Sequence, residues 1–309
     1  MKKTLLFTLR IAALTFLYLV LFIVASGTAF ALLNMAVTQS PEETGGGAML
    51  AMLAVSFLNA LVLTYMITRS RWAGWKLSFV VAFVLYSVML VMSQIETLIF
   101  PQVLNRLPAG TAPALFLMGV LLVVPFAPLA VLIMGKWRRD TAEDERNLRL
   151  AMPFGEWLWK IVVIALIYVV IYFTFGYFVA WKNPAVLAYY NGTDPGDIFT
   201  HAANSFQQTP WFFGVQFLRG ILWALIALPV IRMLKGSAAE AGLMVGLLFA
   251  VLMNSQLLLP NPAMPEAVRM AHLVETASSN FLFGVIVAEL LLWRSKAASA
   301  FSRPSPMVR

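Results

Sequence analysis

Eight long apolar segments constrain this chain more than any other feature of its sequence. A bilayer core about 30 Å thick needs about 20 apolar residues in a helix that crosses it. The composition agrees, because 61% of the residues are hydrophobic and only 12% are charged, against about 25% charged in soluble domains. The sequence therefore predicts an all-α integral membrane protein, a bundle of about eight transmembrane helices. The expected spans lie near Ile11–Leu33, Ala48–Ile67, Trp75–Phe100, Ala114–Met134, Leu158–Trp181, Phe212–Met233, Gly242–Leu259 and Leu273–Trp293.

The distribution of Lys and Arg predicts an orientation for these spans. If the amino terminus is cytoplasmic, eighteen of the 22 basic residues fall on the cytoplasmic side. Only Arg106, Lys182 and Arg269 fall outside, and Arg219 lies within a span. This asymmetry is typical of proteins that obey the positive-inside rule. We therefore expect a bacterial-type cytoplasmic (inner) membrane protein with both termini in the cytoplasm, whose net charge of +8 serves contact with membrane lipids and not with nucleic acid.

The first apolar segment has two interpretations. Residues 1–31 resemble a secretory signal, with a basic start, an apolar stretch and small residues at the end. The apolar stretch is long for a signal, however, and it continues through Leu32 and Leu33. We favour an uncleaved first span over a cleaved signal.

The chain is expected to form a single multi-pass domain, residues 1–309, with two candidate halves. Residues 1–135 and 157–309 would each hold four spans, joined by a charged cytoplasmic loop, 136–156. Met92-Ser93-Gln94 ends the third span, and Met253-Asn254-Ser255-Gln256 ends the seventh. Because four spans is an even number, duplicated halves would be parallel repeats about an axis along the membrane normal. Duplication is a hypothesis that rests on the similarity of these two short segments.

Polar residues inside apolar spans are costly and usually face the protein interior. In the predicted topology most of them fall in the outer half of the membrane. On a helical wheel the polar residues of the eighth span occupy one arc of about 140°. The candidate binding site consists of Arg219, Glu275, Glu96, His272, Gln216, Asn254 and Asn280.

We expect Arg219 to form a buried ion pair with Glu275 or Glu96, because a lone arginine at this depth costs about 2.5–3.5 kcal/mol or more. The other members of the site would complete a hydrogen-bonded network. The outer loop from Lys182 to Pro210 is rich in turn formers and aromatic residues, so it is expected to be ordered and to cap a cavity.

Several chemistries are excluded or poorly supported by the sequence. There is no cysteine, the only histidines are His201 and His272, and no zincin, nucleophile-elbow or phosphate-loop motif occurs. We therefore assign no catalytic residue, metal ligand or cofactor. The leading hypothesis is binding or transport of a small polar or amphiphilic molecule, with Arg219 meeting an anionic group. The alternatives are a membrane-embedded enzyme that uses His272 and Glu275, or a non-catalytic subunit or assembly factor whose polar network is purely structural.

Overall fold

The computed structural model describes residues 2–35, 45–99, 107–138, 149–261 and 264–293. Eight of the helices in these ranges, all except α6 and α7, are long and apolar enough to cross a membrane. This confirms the predicted all-α multi-pass bundle. Arg106 and the centre of the charged loop, 139–148, lie outside the described residues. The helices are α1 (Lys2–Leu32), α2 (Gly46–Thr68), α3 (Gly74–Ile99), α4 (Thr111–Ile133), α5 (Phe154–Ala180), α6 (Pro184–Tyr189), α7 (Ile198–Gln208), α8 (Pro210–Met233), α9 (Ala238–Leu258) and α10 (Glu266–Leu292).

Most spanning helices begin a few residues before the predicted apolar segments. The largest differences are at α1, which starts at Lys2, and at α10, which starts at Glu266. The apolar criterion locates only the part of a helix that matches the hydrocarbon core, whereas the helix itself continues into the polar interface.

The loop before α8 is ordered, as expected, and it contains α6 and α7. Asn183 and Asp197 cap the amino termini of these two short helices with their side-chain oxygens.

The two candidate halves pair their helices in the same way. In the first half α1 packs against α2 and α4, and α3 packs against α4. In the second half α5 packs against α8 and α10, and α9 packs against α10. The halves meet mainly where α9 contacts α2 and α3. This shared pairing agrees with parallel repeats, and the duplication stays a hypothesis.

Helices α9 and α10 approach each other closely, because glycines face each other where they cross. A Cβ atom built on Gly284 would lie 2.7 Å from the Cα of Gly246. The helix backbones can approach this closely only when neither residue has a side chain. Small residues at such crossings replace the hydrophobic driving force that helices lack in lipid. The same crossing places the polar face of α10 against α9.

One end of the bundle, here called the basic end, is fastened by Lys and Arg side chains that donate to backbone carbonyls. The last four carbonyls of a helix have no partner within the helix, and a cation there also favours the helix dipole. Arg149, for example, donates to the carbonyls of Ile231, Leu234 and Gly236, at and just beyond the end of α8. Similar bonds join Arg10 to Met134, Lys136 to Ser70 and Lys160 to Trp293. The basic residues that the sequence assigned to one side of the membrane therefore share one end of the structure wherever they are described.

The glycine crossing gives a test of the fold. Gly284→Ala should lower the melting temperature, at a cost of about 1–3 kcal/mol, because the added methyl group meets backbone and not a flexible side chain. Gly27 in α1 is the matched control, since nothing lies within 4 Å of its Cβ position. Gly27→Ala should leave the melting temperature unchanged or raise it, because alanine is the better helix former. Equal melting temperatures for the two variants in detergent would contradict the close approach of α9 and α10.

Candidate functional site

Helix α3 is irregular near the end of the bundle opposite the basic end, here called the cavity end. Residues Ser87–Met92 form a π-helical turn, a feature that often marks functional sites. Side chains from the second half of the chain satisfy two carbonyls of this turn. Gln256 Nε2 donates to Met89 O at 3.1 Å, and Arg219 Nη2 lies 3.4 Å from Met92 O. The irregular turn of α3 is therefore held by α8 and α9.

Arg219 is the most deeply buried charge at the cavity end, with 1% of its surface exposed. Its Nη1 lies 2.6 Å from Glu96 Oε1 and 2.9 Å from Gln216 Oε1. The guanidinium also lies over the rings of Tyr168 and Tyr172, with its Cζ 5.6 and 5.9 Å from their centroids. The predicted buried ion pair is confirmed, and Glu96 is the partner.

Glu275, the other predicted partner of Arg219, belongs to a different hydrogen-bonded chain. Its Oε2 lies 2.9 Å from Nδ1 of His272, and Nε2 of the same ring lies 3.2 Å from the hydroxyl of Tyr190. One neutral tautomer satisfies both bonds, with Nδ1–H donating to Glu275 and the Tyr190 hydroxyl donating to Nε2. The imidazole therefore connects a carboxyl group on α10 to a phenol that follows α6.

The predicted amide members of the site join α9 to α10. Thr276 Oγ1 donates to Asn254 Oδ1 at 2.6 Å, and Asn254 Nδ2 donates back to Ala250 O at 2.8 Å. Asn280 Nδ2 lies 3.3 Å from Met253 Sδ, a weak acceptor. Met253 and Asn254 lie directly before Ser255, where α9 changes to a 3₁₀ turn. Arg269, on the same face of α10, donates to Leu257 O and Leu259 O and so closes the end of α9.

A partly open cavity of about 450 Å³ lies beside these side chains and is here called the polar cavity. Five of the seven predicted site residues line it: Glu96, Asn254, His272, Glu275 and Asn280. Gln94, Thr276 and Ser279 also line it. The part of its lining that α1 and α4 contribute is mainly apolar and includes Phe22, Phe30, Leu115 and Met118, and Leu90 of α3 is a further apolar member. The polar arc that the sequence predicted for α10 therefore faces a real cavity from His272 to Asn280.

The structure corrects the position of the other two predicted site residues. Neither Arg219 nor Gln216 is among the described residues that line the polar cavity, and each is at most 1% exposed. Glu96 lies between the guanidinium and the cavity, with 27% of its side chain exposed. Arg219 therefore does not border the polar cavity in this arrangement. It holds the Glu96 carboxylate in place at the cavity wall.

The polar wall presents several hydrogen-bond acceptors. Glu96 and Glu275 contribute carboxylate oxygens, and Gln94 Oε1 is buried without a hydrogen-bond partner in the described part of the chain. Two described arginines lie near this wall: Arg219 donates to two side chains and one carbonyl, and Arg269 donates to two carbonyls. A molecule that complements this wall would donate hydrogen bonds, through a hydroxyl or an amino group, and would not carry an anionic group.

The apolar residues that line the cavity were not predictable from the sequence, whereas the loop that covers it was predicted without its contact residues. Phe22, Ser26 and Phe30 of α1 line the cavity, but they look like any other apolar residues of a span. The outer loop does cover the site, since Tyr189 and Tyr190 line it too. Their clustering with Asn191 and Gly192 was the detectable signal. Within the described ranges no group of three or more His, Asp or Glu residues is arranged to hold a metal ion.

The ion pair can be tested with a double-mutant cycle. Arg219→Met should lower the free energy of unfolding by about 3–5 kcal/mol, because it leaves the Glu96 carboxylate without its partner. Adding Glu96→Leu should recover part of this loss, since no uncompensated charge remains. Adding Glu275→Gln instead should give nearly additive losses, because Glu275 bonds to His272. Equilibrium unfolding in micelles measures all of these variants, and stronger coupling of Arg219 to Glu275 than to Glu96 would refute the assignment.

Comparison of the chain with protein-family models, with curated protein sequences and with solved structures finds no match. What the site can bind must therefore be inferred from its own residues. They form a polar wall with several acceptors, an apolar wall and a tyrosine–histidine–carboxylate chain.

Proposed function

We propose that this multi-pass membrane protein binds an amphiphilic molecule in the polar cavity, as a carrier or transporter would. The observation that carries the proposal is a cavity of about 450 Å³ to which α3 and α10 contribute mainly polar residues and α1 and α4 mainly apolar residues. An apolar tail would lie against α1 and α4, and a hydrogen-bond-donating head would meet Gln94, Glu96 and Glu275. A purely structural network would instead fill the space between its polar groups and leave no cavity.

The head group should be neutral or cationic. Two carboxyl groups border the cavity, and one of them is balanced by Arg219. A carboxylate or phosphate entering the same space would meet Glu96 and Glu275 without access to the guanidinium. The repulsion would be strong, because charges interact more strongly away from water. This reverses the expectation from sequence that an anionic group would bind at Arg219.

Amphiphiles with one tail and different heads test this preference. Dodecylamine, dodecanol and dodecanoate share the same carbon chain, so that their effects on the melting temperature in nanodiscs isolate the head group. We expect the amine and the alcohol to stabilise the protein and the carboxylate to give little or no shift. The largest stabilisation by dodecanoate would refute the proposed polarity of the site.

Two neighbouring serines of α10 provide a matched pair of variants for the same assay. Ser279 lines the polar cavity, whereas Ser278 is exposed on the outside of the bundle. Ser279→Leu should abolish the stabilisation by the amine and the alcohol because it fills the cavity. Ser278→Leu should preserve it. Loss of the shift in both variants would indicate that the amphiphiles act on the lipid-facing surface.

The chain Tyr190–His272–Glu275 favours a second candidate function, a membrane-embedded enzyme that uses general acid–base chemistry. A histidine held between a carboxylate and a hydroxyl can accept and release a proton. His272→Gln keeps a hydrogen-bonding side chain but removes this capacity. Amphiphile binding that persists in His272→Gln, together with loss of any turnover of the bound molecule, would favour this candidate.

We further propose that the cavity end faces the outside of a cytoplasmic membrane, because the basic end would then face the cytoplasm. The chain has no cysteine, so that single cysteines report accessibility without background. Thr193→Cys, in the loop after α6, should react with a membrane-impermeant maleimide on intact cells. Ala239→Cys, at the start of α9, should react only after the cells are permeabilised. The opposite pattern would invert the proposed orientation.

A further inference from the structure

A second cavity, of about 340 Å³, lies between α5, α7, α8 and α10 and is here called the aromatic cavity. Five aromatic side chains line it: Tyr172, Phe173, Trp181, Trp211 and Phe212. Glu275 supplies the only carboxyl group among its described lining residues. The polar cavity shares Tyr172, Trp181 and Glu275 with it, so these three side chains separate the two spaces.

Four of the aromatic rings that line the cavity contact one another at steep angles, with Phe212 in contact with the other three. The ring of Phe212 is nearly perpendicular to that of Phe173, with centroids 6.0 Å apart and planes at 88°. It has the same relation to Trp211, at 5.9 Å and 88°. Tyr172 meets Phe212 at 5.7 Å and 65°. Ring planes that turn in this way present π faces from several directions, which is how aromatic cages surround a cation.

Glu275 directs its two carboxyl oxygens to different neighbours. Oε2 accepts the hydrogen bond from His272, on the side of the polar cavity. Oε1 lies beside Gly176 of α5, where a Cβ atom would be 3.5 Å away. The indole of Trp181 lies within 3.9 Å of the same Cβ position. Glu275 Oε1 and the Trp181 indole therefore both lie close to Gly176, which lines the aromatic cavity with them.

The other titratable groups near the aromatic cavity place no unpaired lysine or arginine among its described lining residues. Burial, and then the nearby Lys182, lower the pKa of His201 below its usual value, so that its imidazole is neutral at pH 7. Lys182 itself is paired with Asp194 at 3.2 Å. Glu275 contacts the imidazole of His272 at 2.9 Å, and Glu96 is paired with Arg219. Glu275 is thus a carboxyl group of the cavity wall that has no lysine or arginine partner in the described structure.

We infer that the aromatic cavity is a binding site for a small alkylated ammonium cation of the choline type. Methylated ammonium groups carry a diffuse charge and shed water easily, so they favour aromatic faces over a single ion pair. The rings would surround the methyl groups and the Glu275 carboxylate would compensate the charge. A bare Na⁺ or K⁺ would lack the oxygen ligands that it needs, because the wall is mostly carbon. This site is distinct from the polar cavity and does not depend on the function proposed for it.

Choline and its uncharged carbon isostere, 3,3-dimethyl-1-butanol, test this inference because they share one shape. Purified full-length protein in nanodiscs of choline-free lipid would be titrated with each compound at constant ionic strength, with calorimetry and tryptophan fluorescence as readouts. Choline should bind saturably, and the isostere about tenfold or more weakly. Equal affinities for the two compounds, or no binding of choline, would overturn the inference.

Variants locate the site. Trp211→Ala and Glu275→Gln should each weaken choline binding by about tenfold, whereas only Trp211→Ala should also weaken binding of the isostere. Trp293 is the matched control, since it is 59% exposed at the basic end and Trp211 is 54% exposed. Trp293→Ala should leave both affinities unchanged. Trp211 lies at the surface, so the Trp211→Ala variant should fold even if the Glu275→Gln variant does not. Choline affinity that survives Trp211→Ala would overturn this placement of the site.

Asn280→Leu separates this inference from the proposed function. Asn280 lines the polar cavity and not the aromatic cavity. The variant should impair amphiphile binding and leave choline binding unchanged. Loss of choline binding in Asn280→Leu would place the cation in the polar cavity and overturn the inference.

Discussion

The buried guanidinium of Arg219 is the charge on which the arrangement of the cavity end depends. A cation that is 1% exposed within an apolar bundle must have its partners supplied by neighbouring helices. Glu96 and the Met92 carbonyl of α3, with Gln216 of its own helix, supply them. Because α8 lies in the second half of the chain and α3 in the first, this requirement fastens the halves together. It also fixes the carboxylate of Glu96 at the wall of the polar cavity.

The same requirement explains the irregular helices. A π-helical turn leaves backbone carbonyls without their usual partners, and no water is present in the hydrocarbon core to replace them. In α3 the side chains of Arg219 and Gln256 fill this role. At the end of α9, Arg269 donates hydrogen bonds to the carbonyls of Leu257 and Leu259, in and just after the 3₁₀ turn. Each irregular turn thus opens space for a cavity while the polar groups that it exposes remain bonded.

Hydrophobicity and charge were sufficient to predict the eight spans and the clustering of basic residues, because both follow from the bilayer and not from tertiary packing. The polar face of α10 was also predictable, since helical periodicity places His272, Glu275 and Asn280 in one arc. Depth alone could not choose between Glu96 and Glu275 as the partner of Arg219. That choice depends on how α3 and α10 turn about their axes, which packing determines.

The apolar wall and the aromatic cavity could not be predicted for a related reason. Phenylalanine and tryptophan are ordinary in a span and at its ends, so their identities do not show whether they face lipid or an internal space. Phe22 and Trp211 differ from many other aromatic residues of the chain only in their surroundings. Apolar residues are expected throughout a span, so the sequence does not identify those that line a cavity. A polar residue in a span is identifiable because its burial in lipid is energetically unfavourable.

The position of Glu275 has a consequence for both cavities. One oxygen of this carboxyl group faces Gly176 and the other faces His272, so a single ionisable group borders two separate spaces. Protonation of Glu275 would remove negative charge from both at once. Two ligands that each interact with this carboxyl group would alter each other's affinity, and thermodynamic reciprocity requires the same factor in each direction. Two cavities that share one carboxyl group would in this sense be a coupled pair, without any movement of the helices between them.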